Sequence, residues 1–462
     1  MTSRSMPMPV PTQAVLRETV AAHAARGRYV LGNVRLDPST MAGSFTPAAD
    51  GDFVLADLTV EAGKIARIAA PLSASERSGD DGAPVVDIGG RVALPLFVDC
   101  HTHLDKGHIL PRTSDADGAF ATALSAAKAD REANWSFEDL LRRMDFSLRC
   151  AHHYGTRAVR THLDSQPPQD AVSWPVFRDL REQWRDRIDL QGSCLFGIDF
   201  ARDEAFLARI SQVVAACGGV LGAVAYPVPD FDRLLDRMFA AAGRYGLDLD
   251  FHADETADPS SDCLRRIALA ALRAKGRGKV LVGHCCSLAS QPASTVGDTL
   301  GLVADSGIAV VSLPTCNLYL QDRRHDGTTP RWRGVTLLHE MRRYGIPVAL
   351  GSDNTRDPFH AYGDLDMLDT YRLGTRVLHL DNPTGTWPTT VSTTPAAIMG
   401  LDRTGEIREG LWADFILFEG RSWSEILSRP EGNRVVIRAG CPQTSSLPSY
   451  AELDGLAGLA PD

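Results

Sequence analysis

The chain alternates short apolar runs with longer amphipathic stretches over most of its length. Eight apolar runs have the length of buried strands, and they cover residues 98–100, 158–163, 190–195, 220–226, 248–252, 280–284, 309–313 and 348–351. The stretches between them, such as 137–154 and 231–245, have helical spacing. Eight strand–helix units over roughly 300 residues predict an α/β fold, a (β/α)8 TIM barrel with insertions.

A different pattern flanks this region on both sides. Short strands and tight turns fill residues 28–95, with a hairpin turn at 61–64, and strand patterns return at 413–417 and 435–438. The C-terminal strands form either a separate hairpin or one small β-sandwich together with residues 28–95. The pattern alone leaves both arrangements open.

Composition excludes several classes of function. The 462 residues carry a formal net charge of −10, so no basic surface favours nucleic acid. The nine cysteines are scattered and form no CxxC pair, which is typical of reduced thiols in a cytoplasmic protein. Residues 1–13 do not have the pattern of a secretory signal, and no apolar stretch is long enough to span a membrane. We therefore expect a cytoplasmic protein of the size of an enzyme.

Titratable side chains follow four of the predicted strands. Strand one ends in His101-Thr102-His103, strand five runs into His252 and Glu255, His284 ends strand six, and Asp353 follows strand eight. Two imidazoles at i and i+2 of a strand point to the same side and suit a metal ion. Each residue alone has a structural explanation, a buried histidine or an aspartate in a turn. Their occurrence together, at the ends where barrels place catalytic groups, favours one site.

These segments resemble the amidohydrolase superfamily over essentially the whole chain, and most closely its cytosine deaminase and N-isopropylammelide amidohydrolase branch. The matching segments are His101-Thr102-His103-Leu104-Asp105-Lys106, Arg160-Thr161-His162-Leu163-Asp164, His252-Ala253-Asp254-Glu255, Gly283-His284-Cys285, Asn317-Leu318-Tyr319-Leu320-Gln321-Asp322-Arg323, Gly351-Ser352-Asp353-Asn354 and Asp357-Pro358-Phe359.

The resemblance also implies a domain organisation. It favours the composite β-sandwich, built from residues 28–95 and 401–445, beside a catalytic barrel over 96–400. Residues 1–27 then form an N-terminal tail or helix, and 446–462 form a C-terminal tail.

The resemblance implies a site with one divalent metal ion. The ligands would be His101, His103, His252 and Asp353, and the ion would be zinc, or alternatively iron or manganese. Binuclear members usually carry a carboxylated lysine at the end of strand four, and residues 220–226 contain no lysine.

The catalytic roles follow from the same resemblance. The ion lowers the pKa of its water, and Asp353 accepts the proton that the water loses. His284 orients the water and stabilises developing charge. Glu255 protonates a ring nitrogen of the substrate, although a surface carboxylate is its structural alternative.

Four further residues are expected to contact the substrate. Lys106 and Asn354 match the ammelide-type enzymes; Lys106 either binds a substrate oxygen or pairs with Asp105. Phe196 and Phe359 form apolar walls or belong to the core. Segment 194–199 lacks the glutamine with which cytosine deaminase reads its pyrimidine, so cytosine itself is disfavoured. His162 is interpreted as a buried hydrogen-bonding residue.

The sequence therefore predicts a metal-dependent hydrolase that removes an amino or alkylamino group from a nitrogen heterocycle, such as a pyrimidine or triazine. Two alternatives stay open: hydrolysis of a cyclic or linear amide C–N bond, and an inactive binding protein on the same fold. The expected partner is a small molecule, without nucleic acid or membrane, and the resemblance favours a homo-oligomer.

Overall fold

The structure is a computed structural model that describes residues 11–42, 49–50, 52–71, 83–113, 117–275, 278–381, 386–430 and 433–456. The outermost parts of the two predicted tails, 1–10 and 457–462, lie outside the described residues. The chain divides into two compact units. Unit 1 comprises residues 1–96, 382–393 and 403–446, and unit 2 comprises 97–381, 394–402 and 447–462.

The elements are numbered in chain order. The strands are β1 Arg28–Leu36, β2 Met41–Ala42, β3 Ala49–Asp50, β4 Phe53–Glu61, β5 Lys64–Ala69, β6 Val85–Asp87, β7 Val92–Pro95, β8 Phe97–Thr102, β9 Thr156–Asp164, β10 Asp189–Leu195, β11 Leu221–Ala225, β12 Leu249–Ala253, β13 Val280–His284, β14 Ala309–Ser312, β15 Val348–Leu350, β16 Ile407–Arg408, β17 Phe415–Phe418, β18 Arg434–Arg438 and β19 Cys441–Pro442.

The α-helices are α1 Gln13–Ala24, α2 Phe120–Asn134, α3 Phe137–Tyr154, α4 Asp170–Trp184, α5 Glu204–Ala216, α6 Phe231–Tyr245, α7 Cys263–Arg273, α8 Ala293–Ser306, α9 Pro314–Leu320, α10 Leu338–Arg343, α11 Met367–Leu378, α12 Thr393–Met399 and α13 Trp423–Ser428. Short 3₁₀ helices cover Pro38–Thr40, Leu110–Arg112, Ile198–Arg202, Cys286–Ser290, Trp387–Val391 and Tyr450–Leu453. Among the described helices, none is long and apolar enough to cross a membrane.

Unit 1 is built around one sheet with strands from both ends of the chain. The strand order is β19-β18-β17-β7-β1-β4-β3, with β5 beside β4 and β6 beside β1. Strand β17 runs antiparallel to β7, so that Phe415 lies opposite Pro95. Leu31, Phe415 and Ile437, from three strands of this sheet, belong to one buried apolar cluster. Residues on either side of a 300-residue insertion thus share one core.

The described part of unit 2 contains eight parallel strands, β8 to β15, which confirms the predicted α/β class. They form two hydrogen-bonded groups, β10-β9-β8 and β11 to β15 in order. Parallel backbone bridges between Ser193 and Val220, and between Thr102 and Asp353, connect these groups. Because the strands are parallel, their carboxyl ends lie on the same side, where the predicted site residues follow them.

The helices of unit 2 begin and end where the sequence provides caps. Helix α3 covers the predicted range 137–154; the Ser136 side chain accepts a hydrogen bond from the backbone N–H of Asp139, and Gly155 ends the helix with a φ of 95°. That left-handed conformation costs glycine little. Helix α2 precedes α3 as an additional helix between β8 and β9.

A buried ion pair crosses the interior of unit 2. Arg160 on β9 donates from Nη1 to Asp250 Oδ2 on β12 at 2.9 Å, and both side chains are almost fully buried. Arg160 Nε also donates to Gln191 Oε1 on β10 at 2.7 Å. One guanidinium therefore joins three of the parallel strands below the site.

We predict that Arg160→Met lowers the free energy of unfolding by about 3–5 kcal/mol, because it leaves the Asp250 carboxylate buried without its cation. Urea denaturation of the purified protein measures this loss. The control is Arg185→Met, which removes an exposed ion pair with Glu182 and should cost less than about 1 kcal/mol. Equal losses in the two variants would contradict the structural role given to Arg160.

Candidate active site

Four side chains from distant parts of the chain meet at the carboxyl ends of the parallel strands. His103 Nε2 lies 3.1 Å from His252 Nε2 and 3.3 Å from Asp353 Oδ1. His101 Nε2 lies 3.6 Å from the same Asp353 oxygen. All four side chains are buried. The structure thus brings together the residues that the sequence predicted as metal ligands.

The backbone between β8 and the segment after β15 sets this arrangement. The N–H of Asp353 donates to the carbonyl of His101 at 3.0 Å, and the N–H of His103 donates to the carbonyl of Asp353 at 3.1 Å. The Asp99 carboxylate accepts from the N–H of His101 at 3.2 Å and from that of Ser352 at 3.3 Å. Main-chain hydrogen bonds therefore fix Asp353 beside the two histidines.

Two glycines make room for the His101 side chain. A Cβ at Gly283 would lie 2.9 Å from His101 Cε1, and one at Gly351 would lie 2.9 Å from the His101 carbonyl oxygen. Close behind each glycine, a residue other than glycine adopts the left-handed conformation: His284 has a φ of 68° and Asp353 has a φ of 62°. Such conformations cost about 1–3 kcal/mol for residues other than glycine and cluster at functional sites.

Burial lowers the pKa of three imidazoles in the site, those of His103, His252 and His284. It lowers the pKa of His103 to about 4, with a further contribution from the Lys106 charge, and it lowers the pKa of His284 to about 3. Burial opposes the charged form of Asp353, but the neighbouring His101 and His103 outweigh it and hold the Asp353 pKa well below its usual value. Neutral imidazoles beside one carboxylate are the protonation states that a metal ion requires.

The donor atoms fit one divalent ion. Among the described residues, His101 Nε2 and both Asp353 carboxylate oxygens are buried without a hydrogen-bond partner. A tetrahedral ion with bonds of about 2.1 Å holds its ligand atoms about 3.4 Å apart, close to the three distances above. The ligand atoms of His101, His103 and Asp353 all lie within 4.8 Å of one another, and so do those of His101, His252 and His284.

Glu255 and His284 share one amide that sequence reasoning left without a role. Asn317 Nδ2, on α9, lies 3.2 Å from Glu255 Oε1 and 3.1 Å from His284 Nδ1. Burial, with the Asp353 charge as a second cause, raises the pKa of Glu255 well above its usual value. One amide therefore holds a carboxyl group with a raised pKa and an imidazole next to each other.

A cavity of about 660 Å³ opens over these groups, and all four predicted substrate-binding residues line it. Lys106 and Phe196 lie deep in the wall; Phe359 packs edge-to-face on Phe120 of α2, with ring centroids 5.9 Å apart. Asn354 Nδ2 donates to Asp357 Oδ2 at 2.7 Å. The Asn354 amide thus has one N–H left for a ligand.

The partner of Lys106 differs from the one considered in the sequence. Its Nζ donates to Asp164 Oδ1 at 2.5 Å, whereas Asp105 Oδ1 is 3.8 Å away. Arg131 of α2 contacts the other Asp164 oxygen at 2.6 Å and also lines the cavity. Lys106 is therefore buried and paired with Asp164, with Arg131 as a residue that sequence reasoning missed.

His162 lies directly behind the first ligand. Its Nε2 is 3.2 Å from His101 Nδ1, and the ring is fully buried. This position agrees with its interpretation as a buried hydrogen-bonding histidine. A partner on the second ring nitrogen fixes the orientation and tautomer of a ligating imidazole.

Comparisons with known proteins place the chain in a family. Residues 204–445 match the model of the amidohydrolase family. A pterin deaminase of Rhizobium rhizogenes strain K84 is 48% identical over 435 residues, which cover 93% of this chain and 97% of that protein. The N-isopropylammelide isopropyl amidohydrolase of Pseudomonas sp. strain ADP is 24% identical over 73% of this chain and 82% of its own length.

A solved structure shares the fold. The 5-methylcytosine deaminase of Klebsiella pneumoniae, liganded with 5-fluorocytosine, superposes with a TM-score of 0.76 at 24% identity, covering 91% of this chain and 98% of that one. The chain therefore belongs to the amidohydrolase family, as its motifs predicted. The predicted reaction class is also confirmed. The protein is a hydrolytic enzyme of the deaminase type, acting on C–N bonds of nitrogen heterocycles.

We predict that His252→Ala abolishes stoichiometric metal binding, because it removes one of four converging ligands. Metal analysis of the purified protein by mass spectrometry should fall from about one ion per chain in the wild type to a small fraction of that. His379→Asn is the control: His379 is exposed, and asparagine tolerates its left-handed φ of 52°. Full metal content in His252→Ala would remove this residue from the ligand set.

Proposed function

We propose that the protein is a pterin deaminase. The reaction adds water at C2 of a 2-amino-4-oxopteridine and releases ammonia, leaving a 2,4-dioxopteridine. The observation that carries the choice of ring is the 48% identity to a pterin deaminase along nearly the whole of both chains. The cavity of about 660 Å³ is within the range of roughly 300–1,000 Å³ typical of small-molecule sites.

The metal site completes this proposal. His101, His103, His252 and Asp353 would hold one divalent ion, with zinc as the first choice for three imidazoles and a carboxylate. When bound, such an ion acts as a Lewis acid and lets a water molecule lose its proton near neutral pH.

Glu255 supplies the proton that activates the ring. Its carboxyl, 14% exposed, has a pKa raised well above its usual value, which favours the protonated form. Transfer of that proton to the ring nitrogen beside C2 makes this carbon more electrophilic. The Asn317 amide, 3.2 Å from Oε1, keeps the carboxyl in place during the transfer.

Asp353 and His284 act on the attacking water, whereas Glu255 acts on the ring. The Asp353 carboxylate, with its lowered pKa, accepts the proton that the water loses. Asn317 Nδ2 lies 3.1 Å from His284 Nδ1. With the amide donating, the His284 proton sits on Nε2, which is buried without a hydrogen-bond partner among the described residues. His284 then stabilises the tetrahedral carbon's oxygen by donating a hydrogen bond. The amine accepts the proton held by Asp353, the C2–N bond breaks and ammonia leaves, and the proton of the former hydroxyl group returns to Glu255.

Lys106 and the aromatic walls hold the ring. The Lys106 ammonium binds the 4-oxygen, and Asn354 uses its remaining N–H toward the ring edge. Phe196 and Phe359 provide apolar contact with the ring faces. A ring placed in this way presents its 2-amino group to the metal ligands.

The same proposal covers the fold, the cellular location and the oligomeric state. The eight parallel strands would close as a (β/α)8 barrel, and unit 1 would form the composite β-sandwich with residues 28–95 and 401–445. The nine cysteines are unpaired, which supports a cytoplasmic location. Homo-oligomerisation and the absence of nucleic acid as a partner belong to the same proposal.

Incubation of metal-loaded protein with pterin tests the function. We expect one equivalent of ammonia and one of 2,4-dioxopteridine, identified by mass spectrometry, with the bicyclic ring intact. Cytosine and N-isopropylammelide are assayed in parallel. Both should turn over at least about 100-fold more slowly, because a smaller ring leaves buried polar groups of the protein without a hydrogen-bond partner. A ring-opened product, or faster release from cytosine, would overturn the proposal.

We predict that Glu255→Gln keeps its metal and loses about 10²–10⁴-fold in kcat. The wild-type kcat/KM should fall as pH rises through the raised pKa of Glu255, because the proton donor is lost, and the variant should lack this alkaline limb. Asp258→Asn is the matched control, since Asp258 lines the same cavity as an exposed carboxylate. Unchanged turnover in Glu255→Gln would remove Glu255 from proton transfer.

A further inference from the structure

Three charged side chains form one wall of the cavity, and we call them the Lys106 cluster: Lys106, Asp164 and Arg131. Asp164 accepts from Lys106 Nζ through Oδ1 at 2.5 Å and from Arg131 Nη1 through Oδ2 at 2.6 Å. The side chains are only 8%, 8% and 13% exposed for Lys106, Asp164 and Arg131. Each carboxylate oxygen of Asp164 therefore serves one cation.

Asp105 completes the charge balance around the Lys106 cluster. Within the cluster two cations share one carboxylate, and the buried Asp105 carboxylate, whose Oδ1 is 3.8 Å from Lys106 Nζ, supplies a second negative charge. Its Oδ2 accepts the backbone N–H of Asp164 at 2.7 Å. Without the Arg131 charge, two carboxylates would act on the single Lys106 cation.

We propose that Arg131 is a positioning residue that sets substrate specificity: by sharing Asp164, it leaves the Lys106 ammonium free to bind the 4-oxygen of the heterocycle. This inference rests on the proposed function and deepens it. The site would accordingly select 2-amino heterocycles that carry an oxygen beside the reacting amidine over those that lack it.

The effect follows from what Asp164 does without Arg131. Its second oxygen would lose its charged partner, and the whole carboxylate charge would act on Lys106 Nζ. In a wall that is largely shielded from water, that attraction is strong and competes with a neutral carbonyl oxygen. Arg131 comes from α2, so this extra helix adjusts a lysine that follows β8.

Arg131→Gln provides the test, with steady-state kinetics on two substrates. For pterin we expect KM to rise about tenfold or more, on the scale of one charge-assisted hydrogen bond, with kcat changed less than about threefold. For 2-aminopteridine, which lacks the 4-oxygen, KM should stay unchanged. Arg233→Gln is the matched control: this arginine of α6 is 64% exposed and forms an ion pair with Asp230 at 2.7 Å, so the KM for both substrates should stay unchanged.

A charge rescue separates this role from a merely structural one. Arg131→Gln combined with Asp164→Asn restores the wild-type balance, with one carboxylate for each cation, so the KM for pterin should return toward the wild-type value. A KM that stays raised in the double variant, a rise of equal size for 2-aminopteridine, or no rise in Arg131→Gln would each overturn the proposal.

Binding of 2,4-dioxopteridine, measured by calorimetry, tests the Lys106 cluster without turnover. Its Kd should rise about tenfold in Arg131→Gln and recover in the double variant. If the wild type released no ammonia from pterin while this binding pattern held, the proposed function would fail and the role of Arg131 would stand. If pterin turned over and Kd did not respond, the role of Arg131 would fail alone.

Discussion

The site depends on the backbone contact between the first and the last of the parallel strands. Strand β8 carries His101, and the segment after β15 carries Asp353; their main chains exchange hydrogen bonds of 3.0 and 3.1 Å. The Asp99 carboxylate adds two more, to His101 and Ser352. Residues about 250 positions apart are therefore held by main-chain geometry, so the side chains need no mutual attraction to stay together. This allows donor atoms to remain without hydrogen bonds, as a metal site requires.

Burial then divides the titratable groups into distinct roles. Within one cavity, burial raises the pKa of Glu255, while contacts with two histidines lower that of Asp353. Two carboxyl groups whose pKa values are pushed apart can act as acid and base at the same pH. His284, neutral and held by Asn317, is left to donate a hydrogen bond. Desolvation raises the pKa of Glu255 and lowers that of His284, whereas His101 and His103 hold the Asp353 pKa low against the effect of burial.

The sequence predicted the groups whose position follows from strand periodicity and chain order. His101, His103, His252 and Asp353 follow strands, and parallel strands bring such ends together. Arg131 was missed, and Asn317 received no role, because both lie on helices, where a polar side chain is usually solvated. The pairing of Asp164 with Lys106 joins residues 58 positions apart, and no local pattern encodes it. One signal was available for α2: residues 120, 124, 127, 128 and 131 share one helical face.

Helix α2 also separates recognition from reaction along the chain. It contributes five cavity-lining residues, and it lies outside the alternating strand–helix order as an insertion between β8 and α3. None of the four converging ligands lies on it. Sequence drift within this single segment therefore reshapes the rim of the cavity while the chemical centre stays intact. Substitutions in α2 can therefore change which substrates fit the cavity without altering any of the four metal-ligand candidates.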